Sequence, residues 1–150
     1  MAEVLFYHLT AQPLERALPM LLEKSLERGW RCVVQAVSPE RLAALDEHLW
    51  TYSDAAFLPH ATAEEGDAQD QPVFLTLQAD NPNAAAIRFL VEGADLPPDA
   101  GTYQRLVVMF DGHDDDAVAR AREQWRQVKA AGHEATYWQA DASGRWVKKA

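Results

Sequence analysis

The densest run of reactive side chains is Asp111-Gly112-His113-Asp114-Asp115-Asp116, which holds four carboxylates and one imidazole. Carboxylate and imidazole oxygens and nitrogens are the donors a divalent ion takes, and a metal-bound water is a hydrolytic nucleophile. Asp111 and His113 with the nearby acids therefore define one interpretation, a small metal-dependent hydrolase. A plainer account needs no ion. Acids just ahead of a helix accept hydrogen bonds from its free N–H groups and face the positive end of its dipole, while Asp111-Gly112 forms a turn after the apolar run Leu106 to Phe110.

Other catalytic signatures are missing together. The glycines, at 29, 66, 93, 101, 112, 132 and 144, never form G-x-G-x-x-G or G-x-x-x-x-G-K-S/T, so no phosphate cradle is expected. The histidines, at 8, 48, 60, 113 and 133, show no H-x-x-x-H spacing, and there is no G-x-S-x-G elbow. Cys32 is the single cysteine and sits in the apolar run Cys32-Val33-Val34, where a small core residue is expected rather than a nucleophile. No cofactor and no resident metal are expected.

A second chemistry, recognition without catalysis, lies near the C-terminus. Residues 117–150 carry seven basic groups against three acids, a balance of +4, which leaves -13 for the rest of a chain whose net charge is -9. On a helix, Arg122, Arg126 and Lys129 fall within one stripe, because positions four and seven apart share a face. Trp125 borders that stripe toward the apolar positions Val118, Ala121 and Val128. Guanidiniums beside a large ring suit a peptide that is both acidic and hydrophobic. Taken on the helix alone, the plainer account makes Trp125 core and the arginines a solvated face. Trp50, Tyr52 and Phe57, followed by Pro59 and His60, form another aromatic group where a helix gives way to irregular chain: an interaction patch or a plug over a sheet edge.

The elements that must position these residues follow from periodicity. Val4 to Leu9 reads as a buried strand, then a helix opens at Pro13, carries apolar residues at Leu14, Ala17, Leu18, Leu21, Leu22 and Leu26, and stops at Gly29. Pro19 is expected to kink that helix or delay its start. Trp30 to Val37 is a second strand. Ser38-Pro39-Glu40 then starts a helix that buries Leu42, Leu45 and Leu49 and ends near Trp50. Thr51 to Gln71 reads as a long loop with one apolar island, Phe57-Leu58. Strands are predicted at Val73 to Leu77, Ala86 to Val91, Leu106 to Phe110 and Ala135 to Gln139, with a helix from Asp115 to Ala131 and a basic tail after the Ser143-Gly144 turn. Strands alternating with helices predict an α/β sheet, mostly parallel at its centre.

With 150 residues, 48% hydrophobic and 25% charged, the chain has the size and composition of one globular domain, 1–150. A net charge of -9 argues against direct binding to a nucleic-acid backbone, since each phosphate contact needs a Lys or Arg. No apolar stretch is long enough to span a bilayer, and Met1 to Phe6 lacks a signal-peptide pattern, so no membrane association and a cytoplasmic location are expected.

Several short fragments add a resemblance. Phe6-Tyr7, Leu45-Asp46-Glu47-x-Leu49-Trp50, Phe57-Leu58-Pro59-His60, Gln71-Pro72-Val73, Tyr103-x-Arg105-x-Val107, Phe110-Asp111-Gly112 and Ala121-Arg122-Glu123-x-Trp125-Arg126, with Gly132-His133 beyond, occur in this order and spacing. Together they resemble the chi subunit family of the bacterial DNA polymerase III holoenzyme over nearly the whole chain. The resemblance implies a three-layer α/β/α fold, Rossmann-like but without a nucleotide site, and a non-catalytic accessory subunit. It further implies binding of the acidic, phenylalanine-ended C-terminal tail of single-stranded DNA-binding protein, which connects the clamp-loader complex to coated template. The family's tail-binding residues fall on Arg122, Trp125 and Arg126. A basic position one turn upstream is Val118 here, with Lys129 placed to compensate. Trp50 and Phe57 match the surface that pairs with the psi subunit, and the same patch, with Pro59 and His60, suits a helicase-like partner as the alternative.

Overall fold

Alternation along β1 (Glu3–Leu9) separates two cores: Leu5, Tyr7 and Leu9 enter one, and Val4 and Phe6 the other. A strand buried on both faces belongs in the middle of a parallel sheet, and β1 pairs in parallel on both sides. The computed structural model describes residues 2–52, 59–63 and 68–150. After β1 come α1 (Leu14–Glu27), β2 (Cys32–Gln35), α2 (Pro39–Thr51), β3 (Ala61–Thr62), β4 (Val73–Thr76) and β5 (Ile87–Val91). The chain continues through β6 (Arg105–Asp111), α3 (Asp115–Ala130), β7 (Glu134–Ala140) and β8 (Trp146–Lys148). The sheet order among the described residues is β3-β4-β2-β5-β6-β1-β7-β8, with only the β7–β8 pair antiparallel.

Helices α1 and α2 contribute Leu14, Leu18, Leu22, Leu45 and Leu49 to the core that holds Leu5 and Tyr7. Helix α3 contributes Ala121 and Val128 to the core that holds Val4 and Phe6. The result is the expected three-layer α/β/α arrangement around a mostly parallel sheet. Connection β6–α3–β7 spans β1, which lies between those two strands, so α3 is carried over a strand that is mostly buried.

Local signals act largely as expected. Ser38 Oγ accepts from Arg41 N at 3.2 Å with Pro39 at the first helical position, and the Asp114 carboxylate accepts from Asp116 N and Ala117 N. Cys32 is fully buried. Two boundaries move for identifiable reasons. Strand β2 is shorter than Trp30 to Val37 because Trp30 N–H closes the end of α1 onto Ser25 O, with Gly29 at φ +80°, a left-handed turn that suits glycine. The basic tail is not structureless: its turn is held by Asp141 Oδ1, which accepts from Ser143 N and Arg145 N, and β8 then pairs back on β7. Likewise, the stretch 51–71 contains β3, paired in parallel with β4, and a 3-10 turn at Ala68–Asp70. The Phe57-Leu58 island lies outside the described residues.

Pro19 neither delays α1 nor breaks it; it is buried in a helix that starts at Leu14. Proline offers no N–H to the carbonyl four residues earlier, here Glu15. His48 of α2 supplies the missing partner, its Nε2 lying 2.5 Å from Glu15 O. Arg41 adds a second link, with Nη2 2.9 Å from Glu15 Oε1 and Nε 2.9 Å from Glu92 Oε1. The proline is thus tolerated through a tertiary contact between the two helices.

Replacing His48 by Ala strands that carbonyl and is expected to cost about 1–3 kcal/mol in urea unfolding. In the His48→Ala background, Pro19→Ala should recover part of the loss by restoring a helical N–H. Strictly additive effects of the two substitutions would contradict this account.

Candidate functional site

Helix α3 presents Arg122, Arg126 and Lys129 as exposed residues along one side, with Trp125 half-buried beside them. Trp125 reaches inward, and its ring meets the fully buried Phe6 edge-on at a centroid distance of 5.3 Å. It also meets Tyr137 of β7 at 6.1 Å. Outward, Lys129 Nζ sits 5.8 Å from the same ring. Trp125 therefore packs on the core and still keeps part of its ring at the surface beside Lys129. Beneath the stripe, Ala121 and Val128 are buried and Val118 packs half-buried against the same core. Gln124 Nε2 donates to Ala94 O at 3.0 Å and so holds the helix to the loop after β5.

The cations differ in how they are engaged. Arg126 Nη1 pairs with Glu123 Oε2 at 2.9 Å, and the two side chains are 71% and 58% exposed. An ion pair this solvated is worth about 0–1 kcal/mol and yields readily to an incoming carboxylate. Among the described residues, Arg122 has no salt-bridge partner. Its charge acts on the sheet side, on Tyr137 and on His8 of β1. The Tyr137 hydroxyl oxygen lies 2.5 Å from His8 Nδ1, so β1 and β7 close the floor next to the helix stripe. His8 and Tyr137 were not among the residues expected from sequence. Their signal is strand parity: His8 follows Phe6 by two positions, and Tyr137 is the register partner of Phe6.

The second aromatic group divides. Trp50, in the last turn of α2, is 49% exposed, and its ring lies 4.3 Å from that of the buried His60. His60 Nε2 is hydrogen-bonded to Asp46 O at 3.1 Å, with Asp46 Oδ1 at the same distance, which ties the segment after α2 back onto the helix, and Pro59 beside it is half-buried. Tyr52 turns inward, donating its hydroxyl to Glu23 of α1 and packing on the core. It drops out of the surface patch. Phe57 lies outside the described residues.

The Asp111 to Asp116 run sits beside a crevice of about 690 Å³ at the carboxyl ends of β1 and β6. The chain leaves β1 for one face of the sheet and β6 for the other, the point where open α/β sheets bind ligands. The acids nevertheless serve the backbone. Asp111 Oδ1 accepts from His113 N at 2.9 Å, Asp114 caps α3, and His113 Nε2 is 3.0 Å from Thr10 O. No three His, Cys, Asp or Glu side chains converge with metal-ligating geometry among the described residues. Asp111 and His113 are thus turn and cap residues, and the hydrolase interpretation has no donor set to rest on. Burial pushes the Cys32 thiol up to about 12, far from a reactive thiolate.

Comparison with known proteins gives a family match over most of the chain. The family described as DNA polymerase III chi subunit, HolC, matches residues 1–136. A curated protein of Rickettsia prowazekii (strain Madrid E), "Probable DNA polymerase III subunit chi", is 26% identical over 96 residues. That similarity covers 64% of this chain and 58% of the length of the relative.

Because Trp125 bridges core and surface, its substitutions should separate by shape. Trp125→Ala removes the edge contact with Phe6 and is expected to cost about 2–4 kcal/mol. Trp125→Phe keeps an aromatic against Phe6 and is expected to cost less than about 1.5 kcal/mol. Chemical denaturation followed by circular dichroism checks both, and a Trp125→Ala protein as stable as wild type would show that the ring is not anchored.

Proposed function

The chain belongs to the DNA polymerase III chi subunit family, and from that premise we propose that it serves DNA replication as an accessory subunit without an active site of its own. Its task is to hold the acidic, phenylalanine-ended C-terminal tail of single-stranded DNA-binding protein and so link the clamp-loader complex to coated template. The observation that carries this reading is Trp125, fixed on Phe6 and Tyr137 and flanked by the exposed Arg122, Arg126 and Lys129. The ring offers an apolar wall for an aromatic side chain. The guanidiniums offer forked donors for carboxylates, and the weak Arg126–Glu123 pair is easily exchanged.

Charge supports the same division of labour. An acidic body at -13 repels a phosphate backbone, while the +4 C-terminal part attracts an acidic peptide. A second partner, the psi subunit or a helicase-like protein, is proposed for the patch at Trp50 with Pro59, His60 and Phe57. Trp50 is a large exposed ring of the kind that anchors interfaces. No described helix is long and apolar enough to cross a membrane, consistent with the proposed cytoplasmic location.

A peptide with an acidic, Phe-terminated end, titrated into the protein and followed by Trp fluorescence, should bind saturably. Affinity should fall as salt rises. Arg126→Ala, with the fold intact by circular dichroism, should weaken binding by about 10-fold or more, the scale of a lost charge-assisted contact of about 1.5–3 kcal/mol. Absence of binding at high peptide concentration would overturn the proposal.

A further inference from the structure

On α3 the turn before Arg122 carries Val118, which is half-buried and uncharged, so the helix itself supplies no cation at that end of the stripe. The sheet does. His8 of β1 faces the α3 layer, with its ring 5.2 Å from Phe110 and 5.8 Å from Tyr137. Tyr137 in turn touches Trp125, so His8 lies one ring away from the aromatic niche. Resting on the reading of α3 as a tail-binding stripe, we propose that His8, Tyr137 and Arg122 form a seat for a carboxylate of the bound peptide, and that this seat makes binding tighten as pH falls.

The seat has the form of an anion receptor assembled from three elements. Arg122 comes from α3, His8 from β1 and Tyr137 from β7; His113 faces His8 from the turn after β6, and Asp111 from the end of β6. Without a ligand the balance disfavours a proton on His8. Burial lowers its proton affinity first, the neighbouring His113 and the Arg122 guanidinium lower it further, and Asp111 alone opposes them. Neutral His8 accepts at Nδ1 from the Tyr137 hydroxyl and keeps its proton on Nε2. A carboxylate arriving beside Arg122 reverses the local field; His8 then takes up a proton from water at Nδ1 and donates it to the Tyr137 oxygen, which turns the Tyr137 hydroxyl hydrogen toward the carboxylate.

Gly112 is part of the device. A Cβ at position 112 would lie 2.1 Å from His8 Nε2, so only glycine leaves the imidazole its place against the turn. The sign of the pH effect follows from linkage. The His8 pKa in the free protein is depressed, and a bound carboxylate raises it. The gain in affinity is therefore absent well above the pKa of the complex, grows as pH falls through it, and is complete below the pKa of the free protein. Carboxylates of the peptide remain ionised above about pH 5.5 and do not contribute.

Fluorescence anisotropy of a labelled acidic, Phe-ended peptide with the full chain, at constant ionic strength, tests this at pH 7.5 and pH 5.5. Wild type is expected to bind about 5–10-fold more tightly at the lower pH, since one unit of pKa shift is worth a factor of ten. His8→Gln should lose most of that ratio. NMR titration of the His8 imidazole in wild-type protein, with and without peptide, should show a higher pKa in the complex, a readout that needs no variant to fold. Equal wild-type affinity at both pH values, an undiminished ratio in His8→Gln, or an unshifted His8 pKa would each overturn the seat while leaving the tail-binding stripe standing. Failure to bind at either pH would instead remove the stripe, and the seat with it.

Discussion

The seating of Trp125 on Phe6 is the contact on which the surface chemistry depends. Phe6 is fully buried in the strand that lies between β6 and β7, and the β6–α3–β7 connection has to pass over that strand. An edge-on ring contact there fixes the rotation of α3 about its own axis. Once that rotation is set, positions 122, 126 and 129 must emerge on the solvent side, because they share a stripe three to four residues in period. Gln124, bonded to Ala94, locks the opposite side of the helix. The binding surface proposed for α3 is thus built on a rigid helix, which loses little entropy on being occupied.

Layering then separates the two candidate contact regions. Helix α3 packs in the core with Phe6, whereas α2, which carries Trp50 in its last turn, packs in the core with Tyr7 on the other face of the sheet. The proposed adaptor role requires surfaces that can be occupied together, and opposite faces of one sheet would meet that requirement. The chain's charge follows the same partition, with its positive excess confined to the part that begins in α3. At the carboxyl ends of β1 and β6 the fold has a crevice where open α/β sheets bind ligands, but Asp111 and Asp114 there are committed to turn and cap bonds and Glu15 and Glu92 to Arg41.

Much of this was legible in the sequence because the signals are local. Ser38-Pro39, Asp114 and Gly29 act through neighbours within a few residues, and the arginine stripe depends only on helical period. What escaped depends on distant partners. Pro19 reads as a helix breaker until His48 of another helix is known to satisfy Glu15. Strand β8 is too short to show a period, and only its pairing with β7 defines it. Arg88 interrupts an otherwise apolar strand yet is fully buried, because Gln35, the Tyr103 hydroxyl and the carbonyls of Gln78 and Asp80 surround its guanidinium. Trp125 could be read as core or as contact, and a helical wheel does not reveal that its ring packs on Phe6 while staying half-exposed. His8 and Tyr137 join the site only through the order of strands, which places β1 beside β7.

The central claim is that the Trp125 stripe of α3 receives an acidic, phenylalanine-ended tail. The most direct measurement is a two-dimensional NMR titration of isotope-labelled protein with such a peptide, following the indole N–H of each tryptophan separately. The account predicts that the Trp125 indole and the amides of α3 and β7 shift progressively and saturate, while the Trp50 indole on the opposite layer stays in place. Saturable shifts centred on Trp50, with Trp125 unmoved, would contradict it.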